Sequence, residues 1–188
     1  MKKHIIISLT FFLMAVLLLP ASAYDLIPSE EYPMPDDSNM PEVLNIGTVL
    51  DCGDYSIRLM SQPVITKSIH TLIADNDWKY MVLRVGISNN GTDPAGWLTT
   101  DSFGLEEVYR NRIYGKYKLD YLMSAKSAAG YYLNPFYTII APGQTVQTAL
   151  VFEIFPDADF WIFTFTPHML GESAGESIRF RLPKAIIN

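Results

Sequence analysis

The chain is predicted to be all-β, an antiparallel two-sheet sandwich with one short helical insertion, preceded by a signal peptide and an acidic linker. Three observations predict it. From Ile46 onward apolar residues alternate with period two in run after run, the pattern of strands with one buried face. Turn signals, Asn89-Asn90-Gly91 and Pro142-Gly143 among them, separate the runs. The 188 residues are 49% hydrophobic and 13% aromatic, which supplies one core and excludes disordered, collagen-like and low-complexity chains.

Residues 1–23 read as an export signal. Lys2 and Lys3 form the basic start, Ile5 to Leu19 the apolar stretch, and Ala21-Ser22-Ala23 a small-residue cleavage site. The stretch is shorter than the roughly 20 residues that span a bilayer, and Pro20 breaks a helix before the cut. Cleavage leaves Tyr24 first, so the expected location is secreted, extracellular or envelope-associated, with no stable membrane insertion afterwards. No cysteine stands at the boundary to carry a lipid. Residues 24–45 hold six acids, no Lys or Arg, and Pro28, Pro33, Pro35 and Pro41, the composition of an extended spacer. The sandwich domain is expected over 46–188.

Within it, Ile57 and Leu59 flank Arg58. Met81, Leu83, Val85 and Ile87 form the longest inward set, with Tyr80, Arg84 and Ser88 facing outward. Phe103 and Leu105 open another strand. Leu150, Phe152 and Ile154 alternate with Val151 and Glu153. Trp161, Phe163 and Phe165 repeat the pattern, and Ile178, Phe180 and Leu182 close it, with Arg179 and Arg181 on the wet face. Seven to nine strands follow. Leu119 to Ala129 departs from alternation: Leu122, Met123, Lys126 and three alanines predict a short helix, begun by Asp120 and ended by Gly130.

Charge and cysteine bound the chemistry. Without Lys2 and Lys3, 12 basic residues face 20 acidic ones, a charge of −8, which disfavours nucleic acid as a partner. Cys52 is the sole cysteine, so no internal disulfide supports the fold, and a buried inert thiol is expected.

Several of these stretches resemble a known family. Val85-Gly86-Ile87-Ser88-Asn89-Asn90, then Phe103-Gly104-Leu105-Glu106 leading to Tyr114, then Ile140-Ala141-Pro142-Gly143 followed by Leu150-Val151-Phe152-Glu153-Ile154-Phe155-Pro156, resemble a bacterial secreted domain family of unknown function. The family is similar to the mycobacterial immunoprotective extracellular antigen. The resemblance covers about residues 46–183 and implies an immunoglobulin-like sandwich. It differs where Ala-Ser-Ala replaces the lipoprotein cysteine and where Thr148-Ala149 stands in place of a glycine. It brings no catalytic residues.

Tests for chemistry are mostly negative. Gly171-Glu172-Ser173-Ala174-Gly175 matches the G-x-S-x-G elbow, yet no histidine and only Glu176 as an acid follow it, so a loop is expected rather than a nucleophile. His70 and His168 stand far apart and form no zinc spacing. Asp75-Asn76-Asp77 and Asp157-Ala158-Asp159 lack the remainder of a calcium loop and read as turns. Asn90-Gly91-Thr92 fits the N-glycosylation pattern, but turn chemistry accounts for it. No cofactor, metal site or catalytic residue is expected.

One region has unusual composition. Glu106 to Tyr137 carries seven of the 11 tyrosines and a local excess of Lys and Arg within an acidic chain. Tyrosine beside cations is the make-up of recognition surfaces, because the ring offers rigid area with a polar tip. Tyr109, Arg112, Tyr114, Lys116, Tyr117 and Tyr121 are the candidate contact residues; core lining or cover of a sheet edge is the alternative use of the same rings. The expected function is a secreted, non-enzymatic binding module, its partner an unknown protein or an anionic polymer of the cell envelope. A structural or self-assembling surface protein and a small-ligand or metal-binding domain are the rivals.

Overall fold

A computed structural model describes residues 41–92, 98–110, 112–120, 124, 139–167 and 176–188. The export signal, most of the acidic segment, the G-x-S-x-G match and all of the expected helix except Leu119, Asp120 and Ser124 lie outside these residues, as do Tyr121 and His168.

The strands in chain order are β1 (Val49–Cys52), β2 (Tyr55–Leu59), β3 (Val64–Thr66), β4 (Ser68–Ile69), β5 (Leu72–Ile73), β6 (Lys79–Asn89), β7 (Phe103–Tyr109), β8 (Arg112–Lys118), β9 (Thr145–Ile154), β10 (Phe160–Phe165), β11 (Ile178–Arg181) and β12 (Ile186–Ile187). The described residues thus hold more strands than the seven to nine expected, because two-residue pieces such as β4, β5 and β12 are too short for alternation to register. One turn of 3-10 helix at Thr100–Ser102 precedes β7.

Two sheets make the sandwich. In the first, β9 pairs along the whole of β6, while β2 and β3 share its other edge and are themselves flanked by β1 and β12. β2 and β3 act as one strand broken at Met60–Pro63, where proline has no amide to donate. The second sheet has the order β11-β10-β7-β8, all antiparallel. Gly53 and Gly143 take positive φ at the turns entering β2 and β9, backbone that a side chain would strain.

The alternation seen in the sequence points the expected residues inward. Met81 lies opposite Phe152 and Leu83 opposite Leu150, all fully buried. Across the gap, Leu105, Phe163, Phe165 and Phe180 complete the core. Phe163 joins the sheets: its ring meets Phe152 edge-on at 6.3 Å and packs on Phe180 at 5.2 Å. Thr148, also inward, buries its hydroxyl with no hydrogen-bond partner among the described residues.

Three details differ from the periodic reading. Tyr80 and Val151, expected on the wet face, are buried, because the β4–β5 hairpin folds over that face and forms a second small cluster with Ala74, Ile69, Leu72 and Val82. Pairing begins within the segment read as linker: the Leu44 amide donates to the Arg181 carbonyl, the Arg181 amide donates to the Glu42 carbonyl, and Leu44 enters the core. Leu119 bridges to Phe152 rather than opening a helix, although the Ser124 amide donating to the Asp120 carbonyl is an i to i−4 bond.

Cys52 is a free, buried thiol whose Sγ donates to the Glu176 carbonyl at 3.0 Å. Burial pushes its pKa up, with the Glu176 charge adding to the effect. A thiol so held is a poor nucleophile.

The turn between β5 and β6 is tied by one ammonium. Lys67 Nζ donates to the carbonyls of Asp75 at 2.8 Å, of Trp78 at 3.1 Å, and of Asn76. This accounts for the Asp75-Asn76-Asp77 motif as a turn whose carbonyl groups face a lysine. Lys67→Met is expected to lower stability by about 1 kcal/mol and to speed hydrogen exchange at the Trp78 amide, which bonds the Asp75 carbonyl at 2.8 Å. Unchanged urea unfolding and exchange would show that the ammonium is incidental.

Candidate functional site

Five of the six candidate contact residues sit on one hairpin, β7–β8, at the edge of the second sheet. Tyr109, Arg112, Tyr114, Lys116 and Tyr117 are therefore strand residues. Tyr121 lies outside the described residues.

The ladder skips Tyr114: Val108 pairs with Ile113 and Glu107 with Gly115, so a bulge leaves Tyr114 without an opposite residue. Bulges re-aim side chains, and Tyr114 is 66% exposed. Its ring meets that of Tyr109 edge-on at 5.8 Å, and the Arg110 guanidinium lies 5.1 Å from the Tyr109 ring centre. Arg110 takes positive φ in the turn, where its amide donates to Asp159 Oδ2 at 2.6 Å. The hairpin tip thus presents two tyrosines beside two arginines, Arg112 being exposed opposite Tyr109.

Residues directly opposite one another in a ladder share a face. On the outer face of the second sheet this places Lys116, Glu106, Ile162 and Arg181 in one row, and Lys118, Gly104, Thr164 and Arg179 in the next. Glu106 accepts from Lys116 at 3.2 Å and from Arg179, and its side chain is only 12% exposed. Four cations therefore flank one acid already engaged twice, and Gly104 leaves the middle of the second row without a side chain. Lys116 was legible as a candidate from composition. Arg179 and Arg181 were legible only as outward residues of a distant strand, and Lys118 only as part of the local charge.

The inner face of the same hairpin is used differently. Glu107 lies opposite Trp161 and is buried, and its Oε2 accepts from the Tyr117 hydroxyl at 2.5 Å. The Tyr117 ring packs against Trp161 at 5.6 Å and meets Trp78 edge-on at 6.3 Å; Trp78 in turn meets Phe155 at 6.1 Å. Burial first, and the bond to Glu107 second, raise the Tyr117 pKa well above the ordinary phenol value. Gly115 makes room for this pair: a Cβ there would stand 3.0 Å from the Tyr117 ring and hydroxyl and 3.1 Å from Glu107 Oε2. Tyr117 is thus a closing residue of the sandwich, and the alternative use of the rings as core lining applies to it. Trp78, Phe155 and Glu107 were missed by sequence reasoning, because nothing in the local pattern brings them together.

Among the described residues, no cluster of three or more His, Cys, Asp or Glu could hold a metal ion, and no helix is long and apolar enough to cross a membrane. His70 occupies the β4–β5 turn with positive φ.

No family model and no curated protein matches the chain. Solved structures are similar to it in fold. The yjhA protein of Bacillus subtilis shares 13% identity over 77% of this chain and 99% of its own, with a TM-score of 0.50. The secreted protein MPT63 of Mycobacterium tuberculosis shares 11% over 77% and 99%, with a TM-score of 0.44. The ycdA protein of Bacillus subtilis, a candidate lipoprotein, shares 14% over 72% of this chain with a TM-score of 0.49, and this chain spans only 38% of it. At such identities the likeness is one of fold, and the chain is an antiparallel β-sandwich.

Proposed function

We infer that the protein is a non-enzymatic binding module of the cell envelope or extracellular space, and that it holds an anionic polymer against the outer face of its β11-β10-β7-β8 sheet. The observation that carries this reading is the pair of cross-strand rows in which Lys116, Lys118, Arg179 and Arg181 surround a single acid, in a chain of net charge −6. The export signal read in residues 1–23 supports the location. A regular strand spacing sets the cations in lines, and a linear array of charge suits an extended polymer better than a small substrate. The tip residues Tyr109, Tyr114, Arg110 and Arg112 extend the surface with rings that contact a chain at low entropic cost.

Binding of inorganic polyphosphate, measured by fluorescence anisotropy across a salt series, tests this. Association is expected at low salt and should weaken as salt rises, since bound counterions are released. Reversing Lys118 and Arg179 together to Glu should abolish it, and neutralising them to Gln should lower the salt slope by about one per cation removed. Poly-L-lysine should not bind the wild type through this face. No association with polyphosphate at low salt, or equal association by the reversed variant with an unchanged melting temperature, would sink the reading.

A further inference from the structure

The C-terminal segment makes a second concavity. Leu182 still belongs to the second sheet, its amide donating to the Trp161 carbonyl at 2.8 Å, whereas the Ile186 amide donates to the Pro63 carbonyl at 2.8 Å in the first sheet. Pro183, Lys184 and Ala185 therefore arch across the gap between the sheets, held at both ends by ladder bonds. Under and beside this arch lies a cleft of about 480 Å³, open to solvent on one side and within the range of sites for small organic ligands.

Its lining divides by chemistry. The floor is apolar, with Ile65 and Trp161 both buried, and Phe160 and Ile187 continue it outward. Two cations stand among the lining residues, Lys184, which is exposed, and Arg181, whose guanidinium lies 5.1 Å from the Phe160 ring centre. The one acid among the described lining residues, Asp159, already accepts the Arg110 amide through Oδ2. Positive charge above an apolar floor is complementary to a molecule with an anionic head and an apolar body.

We propose that this cleft binds a small amphipathic carboxylate, the carboxylate held by Lys184 and Arg181 and the apolar body laid on Trp161 and Ile65. The site adjoins the polymer-binding face at Arg181 and Phe160, and neither Lys118 nor Arg179 lines it. It takes a discrete small molecule because its volume of about 480 Å³ is of small-ligand size, unlike the extended cationic rows of the outer face. The ladder bonds at both ends of the arch keep the cleft formed before the ligand arrives, so little ordering opposes binding.

Isothermal titration of the purified protein with monomeric decanoate tests it. A saturable one-to-one association is expected, with quenching or a shift of tryptophan fluorescence from Trp161. Lys184→Glu should weaken it about tenfold or more, the loss of one charge-assisted contact replaced by repulsion. Decyltrimethylammonium, of like apolar body and opposite charge, should bind the wild type far more weakly than decanoate. The variant with Lys118 and Arg179 reversed should keep its decanoate affinity, which separates this site from the polymer face. The proposal is overturned by no saturable association with decanoate, by Lys184→Glu affinity within about twofold of wild type, by equal affinity for the two surfactants, or by loss of decanoate in the polymer-face variant.

Discussion

Phe163→Ala is expected to cost about 3–5 kcal/mol of stability, the largest effect of any single truncation here. The ring is fully buried and is the point where the sheets meet, with Phe152 on one side and Phe103 and Phe180 beside it. Its removal loses the transfer free energy of a benzyl group and leaves a cavity lined by other rings, which lie on paired strands and cannot close in without breaking ladder bonds. No disulfide compensates, since Cys52 is the only cysteine. For a domain of this size, each kcal/mol lowers the melting temperature by roughly 2–4 °C, so calorimetry reads the change directly. Phe163→Leu, which refills most of the volume, should recover the greater part. A melting temperature within a degree or two of wild type for the alanine variant would mean that the sheets are not held together where the structure places their contact.

Tyr117→Phe is the second. It keeps the ring against Trp161 and Trp78 and deletes only the hydroxyl that donates to Glu107. A buried carboxylate oxygen then loses its donor, at a cost of about 1–3 kcal/mol at neutral pH. The pH dependence identifies the cause. The folded state raises the Tyr117 pKa, by burial and then by the Glu107 bond, so it binds this proton more tightly than the unfolded chain does. The resulting stability is complete below the ordinary phenol value of 10.0 and is lost as pH rises from there toward the raised folded value. Wild-type stability should therefore fall above that value, and Tyr117→Phe should fall less steeply. Cys52 and Tyr80, also shifted upward, give both proteins a shared residual slope. Urea midpoints from pH 7 to 11 decide it: parallel curves for the two proteins would dissociate the phenol from the alkaline loss.

The hairpin shows why one surface could be read early and the other could not. Composition grouped Lys116 and Tyr117 as a single basic, tyrosine-rich patch. The structure separates them: Lys116 pairs with Glu106 in the cationic rows, while Tyr117 turns inward to Glu107. The bulge at Tyr114 was also invisible, since an extra residue is defined only by the strand opposite it. Tyr80 and Val151 were assigned to water because periodicity reports two faces, not what lies over each; the β4–β5 hairpin supplies that cover.

The amino-acid sequence by itself determined the strand character of this protein, the inward identity of Met81, Leu83, Phe152 and Phe163, and the buried state expected of Cys52. Each follows from local alternation or from counting, and local propensity and burial act on neighbours in the chain. Only the tertiary structure decided that Arg179 and Arg181 stand in rows with Lys116 and Lys118, that Tyr117 closes on Glu107, and that Pro183–Ala185 arch over a cleft. Register and sheet order depend on which distant strands pair, and that choice is made by the fit of whole apolar faces rather than by the residues that come to lie on the surface.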